Sequence, residues 1–507
     1  MGGTDIQILD DYSMYLDFEQ NICRGLVTVT RRDIICNTPE VGEDYDSSES
    51  RLDESIVLVD WNSMYPAILT RSLPFANFEY KINVGPFKDT NFLLSIDTSD
   101  SALMDYFLII DIWIPNFLKM IFDDLPLIVV NCNIKKPSDH TTLIGSKINH
   151  SKSVKLVCGH FNMKFHGVDL EVLQFYIRLG VKLLDVHRVI SYSKKAIFKP
   201  FIDHCTERRM ENLDNAVLNA TYKLLSNLLY GRCIMDQRKY NLNSRLVKRS
   251  QISKEISHPK FHQIRKVSKK AYLVTRSKEC VVLRSPIYIG CILLQKAKLV
   301  NLKFHYCIAK PSAADFPNDL LYLCDQQYLD IIKLSREIIQ SIYLVYSDTD
   351  SLCYHVQFSK KGTELEYVYN NTFLRPFLDR SNFKVLNKNC GFRGGKHWKM
   401  KLETSDNIPL EAFFISSKVY SIALKKQVDL SNLSVVPNHN QNEREFKRAA
   451  KGCAKSKAAN VLSHSVYREV YDGTRDCPSV STCSFRFNEK FGAMVTQVLT
   501  KVPLTMR

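Results

Sequence analysis

In VYSDTDSL (Val345–Leu352) two carboxylates, Asp348 and Asp350, stand two residues apart inside an otherwise apolar run. Like charges so close repel, and setting them beside buried strand residues is costly unless a positive charge lies between them. A divalent metal ion supplies such a charge. The apolar residues before Tyr346 and after Ser351 predict a β-hairpin whose turn presents both acids. One hairpin does not hold two ions, so a further carboxylate is expected elsewhere. SIVLVDWNSMYPAIL (Ser55–Leu69) offers it: a β-rich run ends in Asp60, and a helix is predicted to open near Ser63–Pro66. A carboxylate at a strand end beside a helix start can bind metal while backbone groups meet phosphate. Tyr65 lies five residues on.

A third element is KLLSNLLYG (Lys223–Gly231). Lys223, Asn227 and Tyr230 fall at i, i+4 and i+7 and share one face of a helix, with Gly231 as the expected stop. Such a face offers charge for a phosphate, an amide for hydrogen bonding and a ring for stacking. In isolation the same spacing fits an ordinary amphipathic helix.

These elements sit in a chain of 507 residues, long enough for two to four structural units, and 45% hydrophobic residues allow a sizeable core. The formal charge of +16 favours a polyanionic partner such as nucleic acid. Fifteen cysteines without a CxxC pair indicate neither a disulfide scaffold nor a zinc module, and reduced thiols in an intracellular compartment are expected. The start MGGTDI has Ile6 where myristoylation wants Ser or Thr. No signal peptide is visible, and secretion is not expected. Tyr106–Val130 is the most apolar region, but charged residues interrupt it; it predicts a buried strand followed by an amphipathic helix, not a membrane span. Residues 38–54 are acidic and polar and predict a loop. From about 160 to 300 the pattern predicts mostly helix. Basic stretches at 246–272 and 446–460 carry much of the positive excess, although each alone fits a solvated face.

Taken together, the three elements resemble the palm and fingers motifs of family B DNA polymerases. DxxSLYP is present as DWNSMYP, KxxxNSxYG as KLLSNLLYG and YxDTDS as YSDTDS, in the family's order. A fourth, the KxY element, is present as Lys418 and Tyr420 in FFISSKVYSI. Within the family the chain is most similar to the protein-primed branch, of the kind encoded by Polinton (Maverick) transposons and related viruses. Stretches carrying that likeness include DYSMYLDFEQNICRGLVTV, SPIYIGCILLQKAKLVNLKFHY, LDRSNFKVLNKN and GGKHWKMKLETSDNIPLEAFF.

The resemblance implies an α+β right-hand polymerase with an antiparallel-sheet palm, helical fingers and a small thumb. Its units would be an entry segment (1–54), a first palm segment (55–95), an insertion (96–198), fingers (199–240), a second connection with the remaining palm segment (241–440) and a shortened thumb (441–507). It assigns Asp60, Asp350 and the Trp61 carbonyl to two Mg²⁺ ions, with Mn²⁺ as a substitute, and Asp348 as an auxiliary acid. Tyr65 would pack beneath the sugar of an incoming deoxynucleoside triphosphate. Lys223, with Arg208 or Arg209, would meet its phosphates, Asn227 and Tyr230 would border the nascent base pair, and Lys418 and Tyr420 would hold the primer. Primer-template DNA and a terminal protein primer are the implied partners, with the nucleus or a viral replication site as the setting. Two departures stand out: Leu228 replaces the usual Ser, and only 59 residues precede Asp60, so no 3′→5′ exonuclease is expected. Asp17 and Glu19 in YLDFEQ merely mimic its first motif. The competing readings are a decayed nucleic-acid-binding remnant and an RNA-templated polymerase.

Overall fold

The computed structural model describes residues 6–48, 50–133, 154–240, 242–268, 270–278, 280–363, 365–379, 397–404, 407–425, 444–488 and 493–504. Most of LDRSNFKVLNKN and the first residues of GGKHWKMKLETSDNIPLEAFF lie outside them. The fold is α+β: nearly all strand pairs are antiparallel, and helices pack on the faces of the sheets.

A six-stranded sheet lies at the centre. In spatial order its strands are Val27–Val29, Ile339–Asp348, Ser351–Phe358, Glu54–Trp61, Met400–Leu402 and Leu378–Asp379. Successive side chains of a strand point to opposite faces, and the burial follows that alternation. Val57, Val59, Leu352, Tyr354 and Val356 enter the main core, into which the helix Ile287–Phe304 packs. Ile56, Leu58 and Cys353 face the other way, onto a four-stranded sheet through Ala412, Phe414, Ile422 and Leu424. That second sheet turns Phe413 and Ile415 toward the helix His464–Tyr471. The molecule is therefore layered here as helix, sheet, sheet, helix.

The strand Ile339–Asp348 breaks its alternation once. Its pairing with the next strand shifts register between Leu344 and Tyr346. Leu344 lies in the main core, whereas Val345 and Tyr346 both face the second sheet. The bulge leaves the Leu344 N–H free to donate to Asp124 (2.9 Å), whose carboxylate also holds His305 (3.0 Å) and Lys310 (3.0 Å).

The expectation of a mostly helical region from 160 to 300 is corrected. Strands Met163–Asp169, Lys182–Lys195, Leu242–Lys248, Phe261–Lys266 and Ala271–Ser277 alternate there with the helices. Lys182–Lys195 pairs with Met104–Trp113 and Leu73–Tyr80, partners far away in sequence that local pattern does not disclose. The basic stretch 246–272 contributes to a three-stranded sheet closed by Arg245 and Arg276 on Glu255. Tyr106–Val130 gives the expected strand and then the helix Asn116–Ile121, but its end enters a further strand, Ile128–Asn133, that the expectation did not include. No helix among the described residues is long and apolar enough to cross a membrane.

Candidate active site

The predicted hairpin forms, and the strand carrying Asp60 pairs beside it. Ser351 lies opposite Asp60 in register, the Trp61 N–H donates to the Asp350 carbonyl (2.9 Å), and the Ser351 hydroxyl donates to Asp60 Oδ1 (2.9 Å). Asp60 and Asp350, 290 positions apart in the chain, thus become neighbours. Burial, then the nearby Asp60 and Asp348, push the Asp350 carboxyl up to about 7. Burial likewise raises Asp60, against the pull of the Ser351 hydroxyl. Two desolvated carboxylates that each resist ionisation are what a divalent cation relieves.

The hairpin tip is tight. The Asp350 N–H donates back to the Asp348 carbonyl (2.7 Å) and Thr349 has φ +65°, which makes a three-residue γ-turn. A β-branched residue at positive φ is strained by about 1–3 kcal/mol. The tip persists because it is held from outside: the Thr349 N–H donates to Leu26 (2.7 Å), and Gly25 lies so close that a Cβ there would meet Thr349 Cγ2 at 2.6 Å.

Asp348 is placed differently from Asp350. Its carboxylate pairs with Lys418 Nζ (2.8 Å). Lys418, at φ +63°, occupies the turn between strands Ile408–Ser416 and Val419–Lys425. Tyr420, its KxY companion, packs 5.6 Å from the Tyr346 ring, and burial pushes its hydroxyl up to about 12.

On the other side of the acids, Ser63 at φ +51° starts the helix Met64–Leu69, which carries Tyr65. Its ring lies 4.6 Å from that of Tyr230. Burial raises Tyr65, and Tyr230, Asp350 and Asp348 add to the effect. Tyr230, with Lys223 and Asn227, sits on the helix Ala216–Cys233. Here one expectation is corrected: Gly231 does not stop the helix, which runs on until the Ile234 N–H caps it on Tyr230 and Arg232. A helix interior tolerates glycine at a cost of about 1 kcal/mol. Lys223 is exposed, with no ion pair among the described residues, and Asn227 donates to the Lys223 carbonyl (3.0 Å).

The neighbouring helix Lys199–Glu211 separates the two candidate arginines. Arg208 is exposed and pairs with Glu211 (2.9 Å), whereas Arg209 is half-buried. Burial lowers the Arg209 pKa, and its Nε finds no acceptor among the described residues. A desolvated cation of this kind suits an anionic ligand.

Three features escaped the sequence reading. Trp61 hydrogen bonds to Asn301 on the helix Ile287–Phe304. His397 meets Thr206 Oγ1 (3.2 Å) on the arginine-bearing helix. A cavity of about 1190 Å³ opens beside Asp348 and Thr349, lined in part by Arg24, Arg32, Lys418, Lys451 and Lys501. Their signal in sequence was only scattered basic residues. Asp17 and Glu19, by contrast, are committed elsewhere: Asp17 to Arg188 (2.5 Å) and Tyr80 (2.9 Å), Glu19 to Arg238.

Among the described residues no three or more His, Cys, Asp or Glu side chains form a self-sufficient metal cluster. Asp60, Asp350 and the neighbouring backbone carbonyls are the oxygen atoms that this tip brings together. That set suits hard cations, which take carboxylate and carbonyl oxygens and fill remaining positions from water or phosphate.

Residues 42–285, just under half of the chain, match the family described as DNA polymerase type B, organellar and viral. The matched stretch contains Asp60, Tyr65, Arg209, Lys223, Asn227 and Tyr230 and ends before Asp348. Among solved structures the chain is similar to phi29 DNA polymerase complexed with primer-template DNA and incoming nucleotide, at 14% identity and a TM-score of 0.46, covering 98% of this chain and 64% of that one. The orthorhombic crystal form of phi29 DNA polymerase gives 13% identity and a TM-score of 0.48, with 99% and 64% covered. The chain thus spans less than two thirds of the length of those polymerases. No curated protein matches the chain.

Proposed function

We propose that this chain is a DNA-directed DNA polymerase of family B, protein-primed type, with palm, fingers and thumb arranged around the hairpin tip. The observation that carries the reading is the register of Ser351 against Asp60, which sets Asp60 and Asp350 side by side although the family match covers only the first of them. Two Mg²⁺ ions, or Mn²⁺ in their place, held by Asp60, Asp350 and the Trp61 carbonyl, would supply the charge that activates a primer 3′-hydroxyl and stabilises departing pyrophosphate.

The chain's own residues position the reactants. Tyr65, fixed against Tyr230, forms a floor that a deoxyribose fits and a 2′-hydroxyl crowds. Lys223 and Arg209 present cations to the triphosphate, and Asn227 borders the new pair. Lys418 is held at the turn by Asp348, where it reaches the primer end. Arg24, Arg32, Lys451 and Lys501 line the cavity alongside and suit the backbone of primer-template DNA. On this reading the enzyme copies transposon or viral DNA from a terminal protein primer, in the nucleus or at a viral replication site.

Primer extension on matched DNA and RNA templates tests the reading. Mg²⁺-dependent addition of deoxynucleotides on DNA, lost in Asp350→Ala with primer-template binding retained, is expected. Extension that survives Asp350→Ala, or that prefers the RNA template, overturns it.

A further inference from the structure

Trp61, which follows Asp60, and Thr349, which precedes Asp350, meet at one side chain. Asn301 is 1% exposed on the helix Ile287–Phe304. Its Oδ1 accepts the Trp61 indole N–H (2.9 Å) and its Nδ2 donates to the Thr349 carbonyl (2.6 Å). An indole N–H only donates and a carbonyl only accepts, so the amide has one orientation that satisfies both.

The second bond falls on a sensitive peptide. The Thr349 carbonyl and the Asp350 N–H belong to the same peptide plane. Asp348 holds its N–H end and Asn301 its carbonyl end. Thr349 sits at φ +65°, a conformation the residue does not favour by itself. Removing the Asn301 donor leaves a carbonyl unpaired beside the core and frees that plane to rotate, and rotation carries the Asp350 side chain with it. The first bond fixes the Trp61 ring, which also packs on Phe304 (5.7 Å) and Phe377 (6.2 Å). Asn301 therefore ties the backbone next to one carboxylate to the side chain next to the other.

We propose that Asn301 is a positioning residue that sets the separation of Asp60 and Asp350, and through it the affinity of the site for divalent ions. The inference rests on the polymerase reading for its consequence but not for its geometry. An ordinary structural asparagine would move stability alone; this one moves metal affinity and turnover together.

The test compares the wild-type chain with Asn301→Leu, close in size without polar atoms, and Asn301→Met, whose flexible side chain guards against a variant that fails to fold. Mn²⁺ binding is titrated by electron paramagnetic resonance without DNA, and extension kinetics and thermal melting are measured alongside. Expected is Mn²⁺ affinity weakened about tenfold, the scale of change when a partner that orients a metal ligand is lost. The kcat should fall while KM for the nucleotide stays within about twofold, since binding contacts are untouched. Unchanged Mn²⁺ affinity in a folded variant overturns the inference, as does a loss confined to KM. A wild-type chain that binds Mn²⁺ yet extends no primer sinks the polymerase reading instead, and leaves the Mn²⁺ comparison to decide this one.

Discussion

At the scale of single residues, the acids divide their labour by what surrounds them. Asp348 pairs with Lys418, while among the described residues Asp60 and Asp350 form no ion pair, and burial raises both carboxyls. Replacing either Asp60 or Asp350 by Ala should cut the rate of nucleotide addition by at least about 10²–10³-fold, the loss typical when a group that stabilises developing charge is removed. Primer-template affinity, measured by anisotropy, should hardly move. Tyr65 makes a different prediction, because its ring is locked on Tyr230. On the proposed reading Tyr65→Val relieves the crowding of a 2′-hydroxyl, so the ratio of ribonucleotide to deoxynucleotide incorporation should rise; an unchanged ratio would show that the ring is only packing.

At the scale of elements, the helix Ala216–Cys233 carries Gly231 in its interior, and a Cβ there would meet nothing within 4 Å. Gly231→Ala should stabilise the chain by about 0.5–1 kcal/mol, because alanine loses less conformational freedom in a helix. If that bare surface is where the nascent pair rests beside Tyr230, extension should slow although the melting temperature rises. A rise in both would place the pair elsewhere. The hairpin strand depends in turn on Asp124, which is wholly buried and receives the Leu344 N–H freed by the bulge. Burial alone would raise Asp124, but His305 and then Lys310 hold it well below the ordinary carboxylate value.

For the molecule as a whole, Asp124 is one of several depressed carboxylates that tie distant segments together. Glu171 joins Lys296 (2.6 Å), Lys303 (3.0 Å) and Arg71 (3.2 Å). Burial would raise it, yet these cations hold it low. A carboxylate depressed in the folded state stabilises the fold above its unfolded pKa of about 4, and that contribution is lost as pH falls through the folded value. The stability that Glu171 contributes should therefore hold from neutral pH to about 5 and decline below it. Glu171→Gln should melt lower at neutral pH but decline less steeply in acid; an equally steep acid limb would remove Glu171 from the account. The charge of +16 and the basic cavity argue for a strong salt dependence of primer-template binding as well. A log-log slope near zero would contradict contacts to phosphate.

The sequence alone determined the portions of the site that lie within short stretches. Asp348 and Asp350 could be placed on a hairpin turn, Asp60 at a strand end, and Lys223, Asn227 and Tyr230 on one helix face, because alternation and helical spacing are local properties of the chain. Three things were decided only by tertiary structure. The bulge at Val345 reverses the alternation that period-two reading would continue. Lys182–Lys195 becomes a strand because distant partners accept its hydrogen bonds. Asn301 lies 240 positions from Trp61 and 48 from Thr349, in a helix whose pattern marks it only as buried. Each depends on which backbone groups and side chains distant segments leave for one another, and that becomes definite only when the layers have packed.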